Sequence, residues 1–417
     1  MGSARRCFES VEALQGRHPQ VLRDLLALPE FAAVHKLPLP AAATAETLDC
    51  RAIHAALMSN NVPEDLSDIL YLSSLLGTVK GWSMLERQLG EDKRERPASS
   101  PDHSYVDLAV LAAIEKWPKH KRFLERAHAR VRVHSKASYL YFAPTLDLRG
   151  KWRDPTAAQI EEARLELCRH YVADGLVDES EQDKATEIVV YPFKNEIWCL
   201  VRYPGRSARQ SGFRGGAWRN FQFNPEQDDA VAYNKVYGDL RMNTKRKTEH
   251  GRYRMTFSRL LLGQSGGFRE DESEVVTLDP LLRADAVNLF NCDDVPGLAM
   301  IVPIDLTYET FGLPPRMKSV KAMDGGSLLE ANEWAPRILP TDAQWPRKAV
   351  FVYRLKDSSR LSRLIVDDGG KVTYERDGDS VVVEVWLRQR GFVKTFVEVP
   401  KYVSDDVAEG RIAAARA

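Results

Sequence analysis

The residues of this chain best suited to a defined chemistry lie at 209–223, RQSGFRGGAWRNFQF, and that chemistry is contact with phosphates and bases. Three arginines, three glycines and four aromatic residues fall within fifteen positions. Arginine can bind a phosphate through two parallel hydrogen bonds, and an aromatic ring can stack on a base. The mixture therefore predicts a surface for nucleic acid. Two alternatives stay open: a pocket for a nucleotide or another phosphate ligand, and aromatic residues that serve only as the core of a β-domain.

The surrounding segment, residues 202–254, keeps the same character. Twelve lysines and arginines oppose five acidic residues there, and Lys245, Arg246 and Lys247 form its densest basic run. Neither GxxxxGK[ST] nor GxGxxG can be found among the glycines, so the known phosphate-loop fingerprints are absent. We expect these glycines to shape a basic, aromatic loop between strands.

A second basic segment covers residues 116–136, where eight lysines and arginines face a single acid, Glu125. Basic residues clustered on a helix neutralise phosphates and release counterions, which gives affinity with little sequence preference. The alternatives are a solvated helix face or a partner for an acidic surface elsewhere. The acidic segment at residues 270–294 is such a surface, and pairing with it would remove both predicted contacts.

Catalytic signatures are mostly missing. The chain contains no HExxH, no GxSxG and no Cys/His spacing typical of zinc, so we predict no cofactor and no metal site. Neighbouring aspartates can hold Mg²⁺ for phosphoryl chemistry, and Asp228 with Asp229 is the best-placed pair because it follows the basic aromatic segment. This pair keeps a metal-dependent phosphodiesterase or nuclease as an alternative, and whether the protein is an enzyme stays open.

Composition narrows the class of protein. A chain of 417 residues exceeds one compact core, and its 59 basic residues balance its 59 acidic ones, so attraction to a polyanion must come from local clustering. Five widely spaced cysteines without a CxxC pair favour a reducing compartment. No apolar run approaches the roughly 18 residues of a membrane span. We therefore expect a cytoplasmic protein that contacts no membrane.

The elements that would carry these residues begin with helices over residues 1–175, where apolar residues recur at spacings of three and four. Gly77 and Gly81 are expected to divide one long apolar stripe into two helices. Ser104 begins another helical pattern, and Thr156 opens a capping box.

The rest of the chain reads as strands with few helices. Residues 176–311 predict an α+β segment that holds the basic aromatic loop, and the proline-rich residues 312–348 predict a connection. Residues 349–417 predict an antiparallel β domain, a meander whose strand-like runs include VVVEVWLRQR at 381–390. The fold class is therefore α+β and multidomain, with an N-terminal helical domain, an α+β segment and a C-terminal antiparallel β-meander.

The function that these patterns favour is a nucleic-acid-binding or regulatory accessory protein, which contacts DNA or RNA and belongs to a DNA-processing or defence system. A third reading is a scaffold subunit that binds other proteins in a larger complex. The predicted nucleic-acid contacts are Lys119, Lys121, Arg122, Arg126, Arg209, Arg214, Trp218, Arg219, Lys245, Arg246 and Lys247.

Overall fold

The computed structural model divides the chain into two compact units, Met1–Val133 and His134–Ala417. Within them the structure describes residues 7–29, 31, 37–58, 62–91, 101–116, 119–135, 138–145, 151–181, 185–192, 195–214, 217–270, 275–312, 314–322, 326–330, 337–356, 358–374 and 380–395. Each unit has a hydrophobic core of its own.

In its described residues, the regular secondary structure of the first unit is entirely helical. Its helices are α1 (Val11–Gln15), α2 (Pro19–Leu26), α3 (Cys50–Leu57), α4 (Glu64–Leu76), α5 (Val79–Glu91), α6 (Tyr105–Glu115) and α7 (His120–Ser135), which continues into the second unit. The predicted division near Gly77 is confirmed, since α4 ends there and α5 begins two residues later. Ser104 caps α6 as expected, in a capping box with Asp107.

The second unit is built on one antiparallel sheet of ten strands in the order β2-β3-β6-β7-β1-β12-β11-β10-β8-β9. A separate two-stranded sheet consists of β4 and β5. The strands are β1 (Ser138–Phe142), β2 (Glu187–Pro192), β3 (Glu196–Pro204), β4 (Ala208–Arg214), β5 (Ala217–Phe223), β6 (Glu226–Asn234), β7 (Leu240–Asn243), β8 (Leu298–Thr310), β9 (Met317–Lys321), β10 (Ala343–Leu355), β11 (Ser362–Asp367) and β12 (Lys371–Tyr374).

Helices pack on both faces of this sheet, at different strands. On one face, α8 (Ala157–Ala173) and α9 (Thr248–Leu262) share a core with the inward residues of β3, β6 and β7. On the opposite face, α10 (Ser380–Gln389) packs through Trp386, whose ring lies 5.6 Å from that of Phe351 on β10. Local sequence sets the helix ends: Thr156 caps α8 in the predicted capping box, and Gly263 ends α9 with φ of 68°.

The mixed α+β class is confirmed, with helices toward the N-terminus and strands toward the C-terminus. The division into compact units differs from the predicted boundary at residue 175. Residues 134–175, which look helical in sequence, lie in the second unit because β1 pairs with β7 and β12, and α8 packs against the sheet. The unit boundary therefore falls before the first strand and not after the last helix of the N-terminal half.

The prediction of a strand at residues 381–390 is wrong, because this segment forms α10. Its valines suggested a strand, but Val382, Val383, Trp386 and Leu387 are buried together at helical spacing. Tertiary burial of that helical face overrides the β-propensity of valine. The following run KTFVEV lies almost wholly outside the described residues.

The proline-rich connection also needs correction, since β9 and the beginning of β10 fall within residues 312–348. Both belong to the ten-stranded sheet, so the α+β segment and the predicted C-terminal β domain share that sheet. The predicted strands at the start of the meander are confirmed as β10, β11 and β12. Among the described residues, no helix combines the length and apolar character that crossing a membrane requires.

Candidate nucleic-acid interface

The basic aromatic segment is not an irregular loop. Its described residues Ala208–Arg214 and Ala217–Phe223 are the antiparallel strands β4 and β5 of one hairpin, and their main contacts are with each other. The hairpin connects β3 to β6, which are themselves paired up to Pro204 and Glu226. With its flanking residues it extends the β3–β6 pair as a two-stranded ribbon, and we call residues 205–225 the arm. At about 3.3 Å per residue, each seven-residue strand is roughly 23 Å long.

The arm is strongly basic. Residues 205–225 contain four arginines and no acidic residue. Arg206 and Arg209 are exposed, and so are the polar side chains of β4 and β5 that the structure describes. Ser211 donates to Asn220 at 2.6 Å, which ties β4 to β5 at the middle of the arm. The two arginines of this ribbon whose side chains the structure describes therefore face solvent and not a core.

The backbone register fixes the positions of the other predicted contacts on the arm. Arg214 pairs with Ala217, Arg219 with Gly212, and Trp218 with Phe213. Alternate residues of a strand belong to opposite faces, so positions 214 and 219 share one face and position 218 belongs to the other. The side chains of Arg214, Trp218 and Arg219 lie outside the described part of the structure.

The base of the arm is closed by a close approach of its two strands. The amide of Gly205 donates to the carbonyl of Pro225 at 2.7 Å. A Cβ atom at Gly205 would lie 2.9 Å from that same carbonyl oxygen, so only glycine permits this contact. Asn224 also donates to the carbonyl of Leu176 beyond the end of α8, at 3.4 Å.

Below the base, a buried hydrogen-bond network anchors the arm to α8 and α9. Asp229 on β6 accepts from the hydroxyls of Tyr203 and Tyr253, each at 3.0 Å. The hydroxyl of Tyr171 on α8 lies 2.8 Å from that of Tyr253. Burial raises the pKa of Tyr203 and of Tyr253 well above the usual range, so both hydroxyls stay protonated and donate. The strand that leads into the arm is thus fixed to both helices.

The basic run before α9 lies beside the same base. The ammonium of Lys245 is hydrogen-bonded to Gln227, next to the start of β6, and the Lys245 amide donates to Asp229 at 3.4 Å. Lys245 and Lys247 are exposed. These two lysines therefore extend the positive charge of the arm onto its base.

Arg246, between them, is engaged inside the protein. Its Nη2 donates to Asp174 at 2.6 Å, and its Nη1 lies 3.4 Å from Glu249. Arg252 binds both oxygens of Asp174, at 2.8 and 2.9 Å. These bonds, those of Arg252 first, hold the pKa of Asp174 well below its usual value. The guanidinium of Arg246 positions the end of α8, and it is less available to a ligand than its neighbours.

Some basic side chains in and next to α7 already have partners inside the protein. Lys121 forms a 2.6 Å ion pair with Asp68, and this bond raises the pKa of Lys121. Lys116 is buried over the ring of Phe123, at 4.9 Å from its centroid. Of the predicted contacts here, Lys119 and Arg126 are exposed, and the side chain of Arg122 lies outside the described residues.

The predicted contacts are divided between the two units. The arm and the lysines at its base belong to the second unit, whereas Lys119, Lys121, Arg122 and Arg126 belong to the first. Arg206 is absent from the contacts predicted from sequence. The lack of acidic residues from 205 to 225 could have indicated that it belongs to the same basic surface.

The acidic segment at residues 270–294 has partners other than the arm in its described part. Glu270 lies 3.7 Å from Arg254 of α9. Asp294 accepts from Arg390 at 2.8 Å, after the end of α10. Neither contact involves an arginine of the arm.

The two aspartates predicted as candidate metal ligands, Asp228 and Asp229, are not exposed at a metal site. Asp228 is buried, and Asp229 is held by the two tyrosine hydroxyls described above. In the described ranges, no group of three or more histidine, cysteine, aspartate or glutamate side chains is arranged to hold a metal ion. Asp229 thus has a positioning role at the base of the arm.

Comparison with known proteins gives no relative from which a function could be carried over. No protein-family model matches the chain, and no curated protein sequence matches it significantly. The functional argument therefore depends on the arm, its charge and its anchoring.

Proposed function

We propose that the protein is a nucleic-acid-binding accessory protein, which contacts duplex DNA through the arm. The observation that carries the proposal is a two-stranded ribbon whose sequence has four arginines and no acidic residue, and in which Arg206 and Arg209 are exposed. The major groove of B-DNA, about 12 Å wide, admits a two-stranded β-ribbon. Arginine is the side chain that most often reads guanine there, through two hydrogen bonds.

The base of the arm supports the same proposal. A ribbon that enters a groove must be held in a fixed orientation at its base. The hydrogen bonds from Tyr203 and Tyr253 to Asp229 hold the strands at the base of the arm. Exposed Lys245 and Lys247 beside the base are suited to the flanking phosphate backbone. Within the first unit, taken by itself, exposed Lys119 before α7 and Arg126 in α7 are proposed as separate phosphate contacts.

The proposal places the protein in the cytoplasm. None of the five cysteines, all of which lie in the described residues, forms a disulfide bond, and Cys168 and Cys199 are buried, which is compatible with a reducing compartment.

Fluorescence anisotropy with a labelled 20-base-pair duplex, titrated from about 50 to 300 mM NaCl, tests the proposal. Four engaged arginines predict a slope of log affinity against log salt near −3.6. Arg209→Glu/Arg219→Glu should weaken binding at least tenfold and reduce the slope by roughly two. The matched control, Lys151→Glu/Lys394→Glu, changes net charge equally at exposed lysines elsewhere in the second unit. Equal weakening by both double variants would assign binding to net charge and remove the arm from it.

A further inference from the structure

A second basic surface lies on the ten-stranded sheet, away from the arm. Along β10, Ala349, Phe351 and Tyr353 are buried on the face covered by α10. On the other face Lys348 and Arg354 are exposed, and Val350 is buried between them. We call this second face, over strands β8 to β12, the open face.

Four exposed cations share the open face. Lys348 on β10 and Lys371 on β12 both pair in register with Asp367 of β11, so the three positions form one row across the sheet. Arg363 on β11 is opposite Val352, two residues from Arg354. Among the described residues, none of Lys348, Arg354, Arg363 and Lys371 forms an ion pair.

The carboxylates of this face are already engaged. Asp305 accepts from Ser319 at 3.0 Å and lies 3.6 Å from the ammonium of Lys321. Glu309 accepts from Arg347 at 2.5 Å. Asp367, in the lysine row, accepts from the amide of Gly369 at 2.9 Å. This amide does not neutralise Asp367, but the four exposed cations exceed its single charge, so the net charge that the face offers to a ligand is positive.

Large exposed aromatic residues lie at one end of the open face. Phe311 is 64% exposed and Trp345 is 49% exposed, although both belong to residue types that are normally buried. They line one groove of about 650 Å³ together with Pro315 and Arg347. Trp345 pairs with Glu309 on β8, which places the groove at the end of the open face beside the edge strand β9.

We propose that the open face binds a single-stranded nucleic acid, with bases stacked on Phe311 and Trp345 and phosphates held by Lys348, Lys371, Arg354 and Arg363. Stacking on exposed rings requires bases that are not enclosed in a duplex, so the single strand is the form that fits. From Trp345 to Arg354 the face extends roughly 30 Å along β10. This length accommodates a segment of at least about four nucleotides.

This inference deepens the proposed function, since it adds a surface and a substrate form to nucleic-acid binding, but it uses residues that the arm does not contain. The test measures binding of the full-length protein to a labelled 20-nucleotide single strand, to the matched duplex and to heparin, a polyanion without bases. Melting temperatures of all variants check that the fold is intact.

Two double variants probe the face. Phe311→Ala/Trp345→Ala should weaken single-strand binding at least about fivefold and leave heparin binding and the salt slope unchanged. Arg354→Glu/Arg363→Glu should weaken binding to both the single strand and heparin by tenfold or more, and reduce the salt slope by roughly two. The controls are Tyr105→Ala/Met255→Ala, which removes two other exposed apolar side chains, and Lys151→Glu/Lys394→Glu.

The outcomes separate this inference from the proposed function. Wild-type single-strand affinity in both face variants would overturn the proposal that the open face binds a single strand. If the arm variants still lose duplex binding in that case, the proposal that the arm binds duplex DNA stands. Equal loss of heparin and single-strand binding in Phe311→Ala/Trp345→Ala would exclude base stacking and overturn the inference as well. Loss of single-strand binding in the face variants, with duplex binding unaffected by arm variants, would support the open face and refute the arm.

Discussion

The hydroxyl of Tyr203 donates a 3.0 Å hydrogen bond to Asp229 on the neighbouring strand, two residues before the arm begins at Gly205. Asp229 is fully buried and Tyr203 is nearly so. A buried carboxylate needs such donors, and these come from the strand that leads into the arm and from α9.

Tyr203→Phe tests this anchoring. The substitution keeps the ring, which stacks on Tyr171 at 4.6 Å, and removes one donor to Asp229. We expect the free energy of unfolding to fall by about 1–3 kcal/mol, because a buried charged acceptor loses a partner. Urea denaturation measures the change. Tyr105→Phe, at an exposed tyrosine, should be neutral, and a wild-type result for Tyr203→Phe would refute the anchoring.

Asp174→Asn should lower the free energy of unfolding at pH 7, and it should lower it by less at pH 3. Bonds from Arg252 and Arg246 hold the pKa of Asp174 below its usual value, so its stabilising contribution is complete above the unfolded-state pKa of about 3.9. The contribution is lost as the pH falls from there through the folded-state pKa. Urea unfolding at pH 7 and at pH 3 should show a larger wild-type advantage at pH 7. Asp178→Asn, at an exposed carboxylate, is the control; an advantage independent of pH would contradict the assignment.

Arg388 holds two buried carboxylates together beneath the sheet. It donates to Asp239 and to Glu384 at 2.8 Å each, and its side chain is only 4% exposed. Arg388→Met should lower the free energy of unfolding by about 3–5 kcal/mol, because both carboxylates lose their hydrogen-bonded counter-charge in a buried site and keep only the longer ionic contacts to Arg241, at 3.8 and 3.7 Å.

The matched control for Arg388→Met is Arg354→Met, at an exposed arginine of the same unit, and it should change stability by less than about 0.5 kcal/mol. Adding Asp239→Asn and Glu384→Gln to Arg388→Met should recover part of the loss, since the amides carry no charge. Failure of this rescue would indicate that packing, and not charge, explains the effect.

Two glycines of α9 should respond to alanine in opposite directions. Gly263 ends the helix at φ of 68°, and its Cβ would lie 2.7 Å from the guanidinium of Arg153, so Gly263→Ala should cost about 1 kcal/mol or more. Gly251 lies inside the helix with only Arg254 near its Cβ position, at 3.9 Å, and Gly251→Ala should stabilise by about 0.5–1 kcal/mol. Thermal unfolding measures both, and changes of the same sign would contradict the local geometry.

The sequence predicts those parts of the fold that local chemistry determines. Ser104 and Thr156 begin helices because their side chains bond the free amides of the first turn, and this motif is visible in sequence. The segment 381–390 could not be assigned in this way. Its valines favour a strand until the partners of Trp386 on β10 are known.

The candidate surfaces show the same limit. The basic aromatic arm is contiguous in sequence, so its chemistry can be predicted. Its backbone conformation is not predicted, because the sequence indicates a loop where the structure has two paired strands. The open face combines Phe311, Trp345 and Arg363 from three separate segments. Their common face depends on the strand order and on the bulges between β8 and β10, which no local pattern reveals.

The bond between Gly205 and Pro225 means that the chain leaves and re-enters the sheet at a single point. A short turn could join these two residues without disturbing the pairing of β3 with β6. The arm is in that sense a detachable module: a protein trimmed of residues 206–224 would keep the architecture of its sheet and serve as an armless counterpart of the native chain.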